Sequence, residues 1–272
     1  MLRKKITTAF SVLKKDGPVH VAKVSIEKAG LWWRQGDPLS PGKFIGRRGA
    51  VARLDGCRFT LDAPEVSDDL RYLLLSGKHE RPERILVKKY VNADLPLVEL
   101  GGALGVVSCV ANNLLTRPEQ HVVVEANPAL IPILRGNRDR NGCRFTVLNR
   151  AIGYDRSVIR LYVNANVLIS SVHGTTQDPV DVPATTLRQI LDDHGFRRCT
   201  LICDIEGAEV ELVRREARTL STCVETLIME VHDRLVGDEE SAALLETLEQ
   251  AGFRVIERTW DSVAYRNVGL TT

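Results

Sequence analysis

The segment at residues 97–105, LVELGGALG, is the feature that most constrains the fold of this chain. Its first residues form the short apolar run that is typical of a buried strand, and a helical pattern of apolar residues begins at about Leu104. A strand, a glycine turn and a helix in this order place a helix N-terminus and free backbone N–H groups at one edge of an α/β sheet. The segment therefore predicts either a nucleotide-like ligand site or a plain turn of a doubly wound protein.

The glycine spacing separates two classes of ligand. A dinucleotide fingerprint that starts at Gly101 requires glycine at 103 and a small residue at 106, but the chain has Ala103 and Val106. An NAD-dependent reductase is therefore disfavoured. The pattern present is Glu-x-Gly-x-x-x-Gly, formed by Glu99, Gly101 and Gly105. A carboxylate at the strand end repels a pyrophosphate, whereas it suits cationic groups such as the ammonium and sulfonium of S-adenosylmethionine.

A second apolar strand is predicted at residues 121–125, and it ends in Glu125. An acidic residue about 20 residues beyond the glycine turn is placed to accept hydrogen bonds from both hydroxyls of a ribose. Asn127 and Pro128 then predict a helix N-cap followed by proline in the first turn. Two carboxylates at neighbouring strand tips around one glycine turn indicate an adenosine-containing ligand.

Strands and helices alternate through the rest of the chain, which predicts a Rossmann-like α/β fold with a mostly parallel sheet. Seven strands are predicted near residues 96–101, 121–126, 143–149, 199–204, 223–231, 253–259 and 262–268. A short turn joins the last two strands, so we expect the sheet to finish in an antiparallel hairpin. Residues 155–184 interrupt the alternation and predict an insert that forms a lid or a wall of the ligand site.

The first part of the chain differs in charge. Residues 1–58 contain thirteen Lys and Arg but four Asp and Glu. We expect residues 1–76 to form a basic extension, helical at first and then a β-hairpin around Asp55-Gly56, and residues 77–272 to form the ligand-binding domain. The basic segment indicates either a solvated helix face or contact with phosphates or a membrane surface.

Cellular location is predicted from hydropathy and cysteine usage. No apolar run reaches the roughly 18 residues of a membrane span, and none of the six cysteines forms a C-x-x-C pair. Most of the cysteines lie in apolar strand or helix patterns, as reduced core residues do. We therefore expect a cytoplasmic protein without a transmembrane segment.

A second group of acidic residues follows the strand predicted at 199–204. Asp204 and Glu206 come at the strand end, where they can orient an acceptor, take its proton or hold a divalent metal. Glu209 lies in the first turn of the next helix, where the helix dipole favours a negative charge, so we expect Glu209 to cap that helix. His232 follows the strand at 227–231, and its ordinary pKa makes it a third candidate base, although a loop hydrogen bond explains it equally well.

These motifs occur together, in order and at fitting separations: Glu99 to Gly105, residues 124–128 (VEANP), 149–153 (NRAIG), 204–209 (DIEGAE) and 229–232 (MEVH). Over about residues 77–268 the chain resembles the FkbM family of S-adenosylmethionine-dependent methyltransferases. The resemblance implies the class I methyltransferase fold, with seven strands of which the last is antiparallel. It also implies O-methylation of a hydroxyl group on a sugar, a glycan or a polyketide-like natural product.

The resemblance also implies roles for individual residues. The methionine part of the cofactor is assigned to Glu99, Gly101 and Gly105, the ribose to Glu125, and the border of the adenine to Asn149 and Ala151. Glu80 matches an element that closes the cofactor pocket, with His79 in place of the usual aromatic residue. Ala103 stands where many members have Asn.

The candidate catalytic residues are Asp204, Glu206 and His232, of which Asp204 also borders the cofactor, and no metal ligand is assigned. The implied partner is a small-molecule or glycan acceptor rather than a nucleic acid. Peripheral membrane contact and a homo-oligomer are left open. The alternative function is a non-catalytic member that binds a membrane or polyanion through its basic N-terminal segment.

Overall fold

A computed structural model describes residues 49–163, 170–171, 179–232, 237–260 and 262–270 of the chain. The chain divides into two compact units, residues 1–79 and residues 80–272. The basic helical segment predicted before residue 49 lies outside the described residues, as does the middle of the insert. The assignment of domains at residues 76 and 77 stays a prediction.

The described part of the first unit is a hairpin followed by a helix. Strands β1 (Val51–Leu54) and β2 (Cys57–Thr60) pair antiparallel, and the turn between them is Asp55-Gly56. Both turn residues have positive φ, as a two-residue hairpin loop requires, so the predicted hairpin is confirmed. Helix α1 (Asp68–Ser76) begins at Ser67, whose hydroxyl accepts from the backbone N–H of Leu70.

The second unit contains a seven-stranded sheet, a smaller sheet and six described helices. The strands of the large sheet are β3 (Leu97–Leu100), β4 (His121–Glu125), β5 (Thr146–Asn149), β10 (Cys199–Cys203), β11 (Val224–Glu230), β12 (Phe253–Thr259) and β13 (Ser262–Asn267). The helices are α2 (Arg81–Tyr90), α3 (Val106–Asn112), α4 (Ile131–Arg140), α5 (Leu187–His194), α6 (Glu209–Cys223) and α7 (Asp238–Gln250).

The order of strands in the large sheet is β12-β13-β11-β10-β3-β4-β5. The five strands from β11 to β5 are parallel, and β13 is antiparallel to both of its neighbours. The predicted mostly parallel sheet with a terminal antiparallel hairpin is therefore confirmed, and all seven predicted strands belong to it. The chain reverses direction across the sheet on either side of β3, which makes the carboxyl end of β3 the topological switch point where ligands bind.

The central strands are buried on both faces, as in other parallel sheets covered by helices. Every residue of β3, β4 and β10 is buried. On one face, side chains of these strands pack in a single apolar cluster with Leu212 and Leu220 of α6 and Leu248 of α7. This core fixes the strand ends at one edge of the sheet.

The smaller sheet comes from the predicted insert and the residues beside it. Its strands are β6 (Ala151–Ile152), β7 (Val158–Val163), β8 (Ser170–Ser171) and β9 (Val180–Thr185), in the order β6-β9-β7-β8. Because β6 directly follows β5, this sheet begins at the same edge of the large sheet as the predicted ligand site.

The helix after β3 begins at Val106, two residues after its predicted start, and the helix after β4 differs more from its prediction. The helix after β4 begins at Ile131, and its N-cap is Leu130 rather than Asn127. The Asn127 side chain instead accepts from the backbone N–H of Ala129 at 3.0 Å, so it closes a turn before the helix. Among the described helices, none has the length and apolar character needed to cross a membrane.

Candidate active site

The glycine turn after β3 brings two strand ends into contact. Gly101 has φ of +92°, and a Cβ atom there would lie 1.7 Å from the backbone oxygen of Asp204. Only glycine fits at that distance. The Asp204 N–H donates to the Leu100 oxygen at 2.9 Å, which continues the pairing of β3 and β10 to the edge. Gly105 is the left-handed N-cap of α3, where a Cβ would meet Leu134 at 2.6 Å.

A cleft opens where the carboxyl ends of β3, β4 and β10 meet. Its polar lining is Glu125, Arg150, Asp204 and Glu206, and Gly101 forms part of its floor. The apolar lining comes from the turn after β3, from β4 and the residues that follow it, from β6 and β7, and from the turn before α6: Ala103, Val124, Ala126, Leu130, Ala151, Ile152, Leu161, Ile205 and Ala208. Leu161 belongs to the insert, whose described part therefore contributes to one wall.

Glu125 is held in the cleft by backbone groups. One carboxylate oxygen accepts from the Ala103 N–H at 2.7 Å, and the other accepts from the Asn127 N–H at 2.6 Å. Burial raises the pKa of Glu125, and these N–H groups oppose that rise. The Asn149 amide donates to the backbone oxygens of Glu125 and Ala126, so Asn149 fixes the strand tip from outside the lining.

Glu99 lies behind the glycine turn and is not among the residues that line the cleft. It is 1% exposed, accepts from the Ser108 hydroxyl at 2.7 Å, and has its other oxygen 3.3 Å from Nε2 of His121. Burial lowers the pKa of His121 to about 3, which keeps the ring neutral, and burial raises the pKa of Glu99. Glu99 therefore joins β3 to β4 and α3, and its contact with a cofactor stays a prediction.

Glu80 and Gly105 are also outside the cleft lining. Glu80 is the N-cap of α2 and has φ of +48°. Its charge raises the pKa of Glu83, Glu99 and Glu125, which places it near the same edge of the sheet. Burial is the main cause of the raised pKa of Glu83, and the charge of Asp204 comes next. The edge of the sheet beside the cleft is therefore rich in carboxyl groups.

His232 lies among four carboxylates, and we call this group the His232 cluster: His232, Asp204, Glu206, Glu209 and Glu230. The His232 Nδ1 atom is 3.2 Å from Glu209 Oε1. The Nε2 atom is 3.5 Å from both Asp204 Oδ1 and Glu206 Oε2, and 3.6 Å from Glu230 Oε1. The structure thus brings the three predicted catalytic residues together at the ends of neighbouring strands, while their roles in catalysis stay predictions.

Glu209 positions this cluster. It is 1% exposed, and its two oxygens accept from the N–H groups of Ile205 and Gly207, each at 2.8 Å. The predicted capping role is therefore present in the structure. The same carboxylate also faces the imidazole of His232, a contact that the sequence analysis missed.

The protonation of His232 differs from its ordinary state. Burial lowers its pKa, but the hydrogen bond with Glu209 and the charges of Glu209, Asp204 and Glu206 outweigh that and raise it to about 9. His232 is therefore protonated at neutral pH. His232 was predicted as a base because of its ordinary pKa. The raised pKa does not support that reason, and the catalytic role of His232 stays a prediction.

Strained backbone occurs beside the cleft. Glu80, Ala103 and Glu206 all have positive φ, at +48°, +41° and +53°. Non-glycine residues in this region cost about 1–3 kcal/mol each and concentrate at functional sites. Ala103 and Glu206 both line the cleft.

Some residues of the site were not singled out as candidates from the sequence. Glu230 was part of a family motif without a role, although its place at the end of an apolar strand was a usable signal. Arg150, which lies between Asn149 and Ala151 in the sequence, lines the cleft. A charged residue directly after a predicted strand was the pattern that could have identified it. The contact of Glu209 with His232 depends on the neighbouring positions of β10 and β11, which no local pattern shows.

A family model, the methyltransferase FkbM domain, matches residues 101–255, which is more than half of the chain. This chain belongs to the FkbM methyltransferase family. The match covers the glycine turn, the tip of β4, the Asp204–Glu209 segment and His232. The FkbM relationship and the class I methyltransferase fold predicted from the sequence are both confirmed.

Solved structures with a similar arrangement include other methyltransferases. Methyltransferase FkbM from Methylobacillus flagellatus KT is 16% identical, with a TM-score of 0.47, over 74% of this chain and 54% of that one. Precorrin-6y C5,15-methyltransferase from Geobacter metallireducens GS-15 is 15% identical, with a TM-score of 0.42, over 69% of this chain and 86% of that one.

Curated relatives found by sequence carry a different name. GTPase Der of Chloroflexus aurantiacus (strain J-10-fl) is 25% identical over 266 residues, and that of Chloroflexus aggregans is 24% identical over the same length. These alignments cover 88% of this chain, and the chain spans 56% of the length of those relatives. The present sequence contains no G-x-x-x-x-G-K-[ST] segment, the loop that cradles nucleoside triphosphates.

Proposed function

We propose that this methyltransferase uses S-adenosylmethionine to methylate a hydroxyl group of a sugar, glycan or polyketide-like acceptor. The observation that carries the proposal is the arrangement of one cleft. Glu125 lies on its β4 side, and Asp204 and Glu206 lie on its β10 side, around the Gly101 turn. The two sides offer chemistry that suits the two ends of this cofactor.

The β4 side suits the adenosine portion. The two carboxylate oxygens of Glu125 have four lone pairs, and the backbone N–H groups of Ala103, Ala126 and Asn127 leave one of them for a ribose hydroxyl. Leu130, Ala151 and Ile152 supply apolar surface beside it for an adenine ring.

The β10 side suits the methionine portion. The cofactor has an ammonium and a sulfonium group, and both are attracted by carboxylates in a partly buried cleft. Asp204 and Glu206 line the cleft there, and the charges of Glu230 and Glu83 lie close to Asp204. This acid-rich wall would repel a pyrophosphate, which is why we favour S-adenosylmethionine over a dinucleotide.

Glu206 is the residue that we propose as the base. It lines the cofactor cleft and also a neighbouring groove that contains Tyr154, Arg160 and Glu211. An acceptor in that groove would present its hydroxyl to the methyl group beside Glu206. Burial and the charge of Glu209 raise the pKa of Glu206 while the charge of His232 lowers it, and the net rise makes this carboxylate a stronger base than usual.

Chemistry at this point needs little besides geometry and a proton acceptor. Alignment of the hydroxyl oxygen with the S–CH3 bond can supply about 7–11 kcal/mol, and a general base about 10²–10⁴-fold in rate. Asp204 lines the same cleft and is a second acceptor for the proton. His232, protonated, holds the two carboxylates in place.

Transfer of an isotope-labelled methyl group from S-adenosylmethionine to a panel of sugars, glycans and polyketide-like alcohols tests the proposal. We expect product with at least one hydroxyl acceptor, and a fall in turnover of about 10²–10⁴-fold in Glu206→Gln with a much smaller change in cofactor affinity. Asp192→Asn is the matched control, because Asp192 is exposed and pairs with Arg188 on α5. Labelling of amines or thiols but of no hydroxyl acceptor would contradict the proposal.

A further inference from the structure

We infer that Asp204, Glu230 and His232 form a binding site for a divalent cation of the Mg²⁺ or Mn²⁺ class. Each residue offers one ligand atom, and these atoms all lie within 4.8 Å of one another. Ligand atoms on opposite sides of one such ion are separated by about 4 Å, since each bond is about 2.1 Å long. Small side-chain movements would therefore place all three on a single ion, which would displace to solvent the proton that Nε2 of His232 carries in the metal-free protein.

The imidazole is already aimed at the two carboxylates. Glu209, fixed by two backbone N–H groups, contacts Nδ1 of His232 and leaves Nε2 towards Asp204 and Glu230. A carboxylate on the far nitrogen of a histidine is the usual outer-shell partner of a histidine that binds a metal. Glu209 is therefore a positioning residue of the site.

Two buried polar atoms beside the cluster have no hydrogen-bond partner among the described residues. One is Asp204 Oδ1, which has the 3.5 Å ion-pair contact with Nε2 of His232 but no hydrogen bond, and the other is the hydroxyl of Ser262, a residue that is 1% exposed. Ser262 is paired in register with Glu230 across β13 and β11, so the two side chains lie on the same face of the sheet. A bound cation with its water molecules would satisfy both atoms, which a cluster of carboxylates alone leaves unexplained.

The charges of the cluster are also unbalanced. His232 is the only cationic side chain that the described structure pairs with Asp204 and Glu206. One imidazole therefore faces several carboxylates. Oxygen-rich donors suit Mg²⁺ and Mn²⁺, and one imidazole among them favours Mn²⁺ of the two.

The catalytic consequence rests on the proposed function, whereas binding of the ion does not. Asp204 lines the cofactor cleft beside Glu206, so an ion there would lie next to the point where the acceptor hydroxyl is proposed to enter from the neighbouring groove. Glu206, which is outside the ligand set, would still be available to accept the proton.

Mn²⁺ is the probe, used on the full chain after dialysis against EDTA and without S-adenosylmethionine. We expect one ion per chain by electron paramagnetic resonance and calorimetry. Asp204→Asn and Glu230→Gln should each weaken binding by more than tenfold, and Glu209→Gln by about 10–100-fold through the histidine. Asp192→Asn, an exposed carboxylate paired with Arg188, should bind as the wild type does.

Circular dichroism of each variant shows whether the fold is retained, and the wild-type titration decides the question even if a variant fails to fold. No saturable Mn²⁺ binding up to about 1 mM in the wild type would overturn the inference, as would unchanged binding in folded Asp204→Asn and Glu230→Gln. Binding of S-adenosylmethionine in EDTA is measured separately. If the protein binds the cofactor but no Mn²⁺, the proposed function stands and the cation site is wrong. If it binds Mn²⁺ but no cofactor, the cation site stands and the proposed function is wrong.

Discussion

The two sides of the cleft hold their carboxylates by different means. On the β4 side, Glu125 is fixed by the backbone N–H groups of Ala103 and Asn127. On the β10 side, backbone N–H groups fix Glu209, whereas Asp204 and Glu206 face the imidazole of His232. Backbone N–H groups do not titrate, whereas the imidazole does. We therefore expect the β4 side to keep its geometry over a wide pH range and the β10 side to change with protonation.

We expect the largest effect from a substitution in the glycine turn that both sides of the cleft share. Gly101→Ala would place a Cβ 1.7 Å from the Asp204 oxygen and must separate the ends of β3 and β10. We expect a loss of about 3 kcal/mol in the free energy of unfolding, measured by urea denaturation, and loss of cofactor binding.

Gly136→Ala in α4 is the matched control. A Cβ at Gly136 meets nothing within 4 Å, and alanine is the better helix former, so we expect a gain of about 0.5–1 kcal/mol. A Gly101→Ala protein as stable as the wild type would show that the close approach of the two strands is not required.

The next largest effect is a loss of cofactor affinity when the β4 side of the cleft alone is changed. Glu125→Gln replaces one acceptor oxygen with a donor that faces backbone N–H groups and ribose hydroxyls. We expect affinity for S-adenosylmethionine to fall by about 1.5–3 kcal/mol, measured by calorimetry, in a protein that remains folded. Glu257→Gln, at the contact with Lys89 and Tyr90, is the comparison variant and should bind normally. Equal affinity in folded Glu125→Gln would remove Glu125 from the ribose site.

Because His232 titrates and backbone N–H groups do not, we expect the stability of the β10 side to depend on pH. Folding raises the pKa of His232 from 6.5 to about 9, so its contribution to stability is complete below pH 6.5 and is lost as pH rises through 9. We expect the free energy of unfolding in EDTA to fall by up to about 3 kcal/mol over this range.

His232→Gln should show a much shallower decrease over the same range, because the titrating group is absent. The pKa itself is measurable from the imidazole proton signals by NMR. A His232 pKa near 6.5 in the folded protein would contradict the charge balance that we assign to the cluster.

The smallest expected effect concerns the strained residue on the β4 side. Ala103 has φ of +41°, a conformation that asparagine adopts more readily than alanine. We expect Ala103→Asn to raise the free energy of unfolding by about 0.5–1 kcal/mol in thermal or urea denaturation. A decrease in stability would mean that the cleft lacks space for the amide.

Local patterns were enough to predict the sheet and the turn. Apolar runs separated by helical patterns located all seven strands, and the glycine spacing located the turn at Gly101. The meeting of Asp204, Glu206 and His232 was also predictable, because the carboxyl ends of neighbouring parallel strands lie at one edge.

Other features depended on contacts between distant residues. Glu99 was assigned to the cofactor from its place before the glycine turn, and its contacts with Ser108 in α3 and His121 in β4 were not foreseen. The pKa of His232 depends on carboxylates from two strand ends and a helix. Asn127 looked like an N-cap, but three further residues precede the helix. In each case the deciding partner is set by register or tertiary packing, which periodicity does not show.

Calorimetric titration of the full chain with S-adenosylmethionine, and separately with NADH, tests the central claim most directly. The arrangement of Glu125, the Gly101 turn and the acid-rich β10 side predicts saturable binding of S-adenosylmethionine in the micromolar range and no binding of NADH. Binding of NADH together with no binding of S-adenosylmethionine would contradict the account.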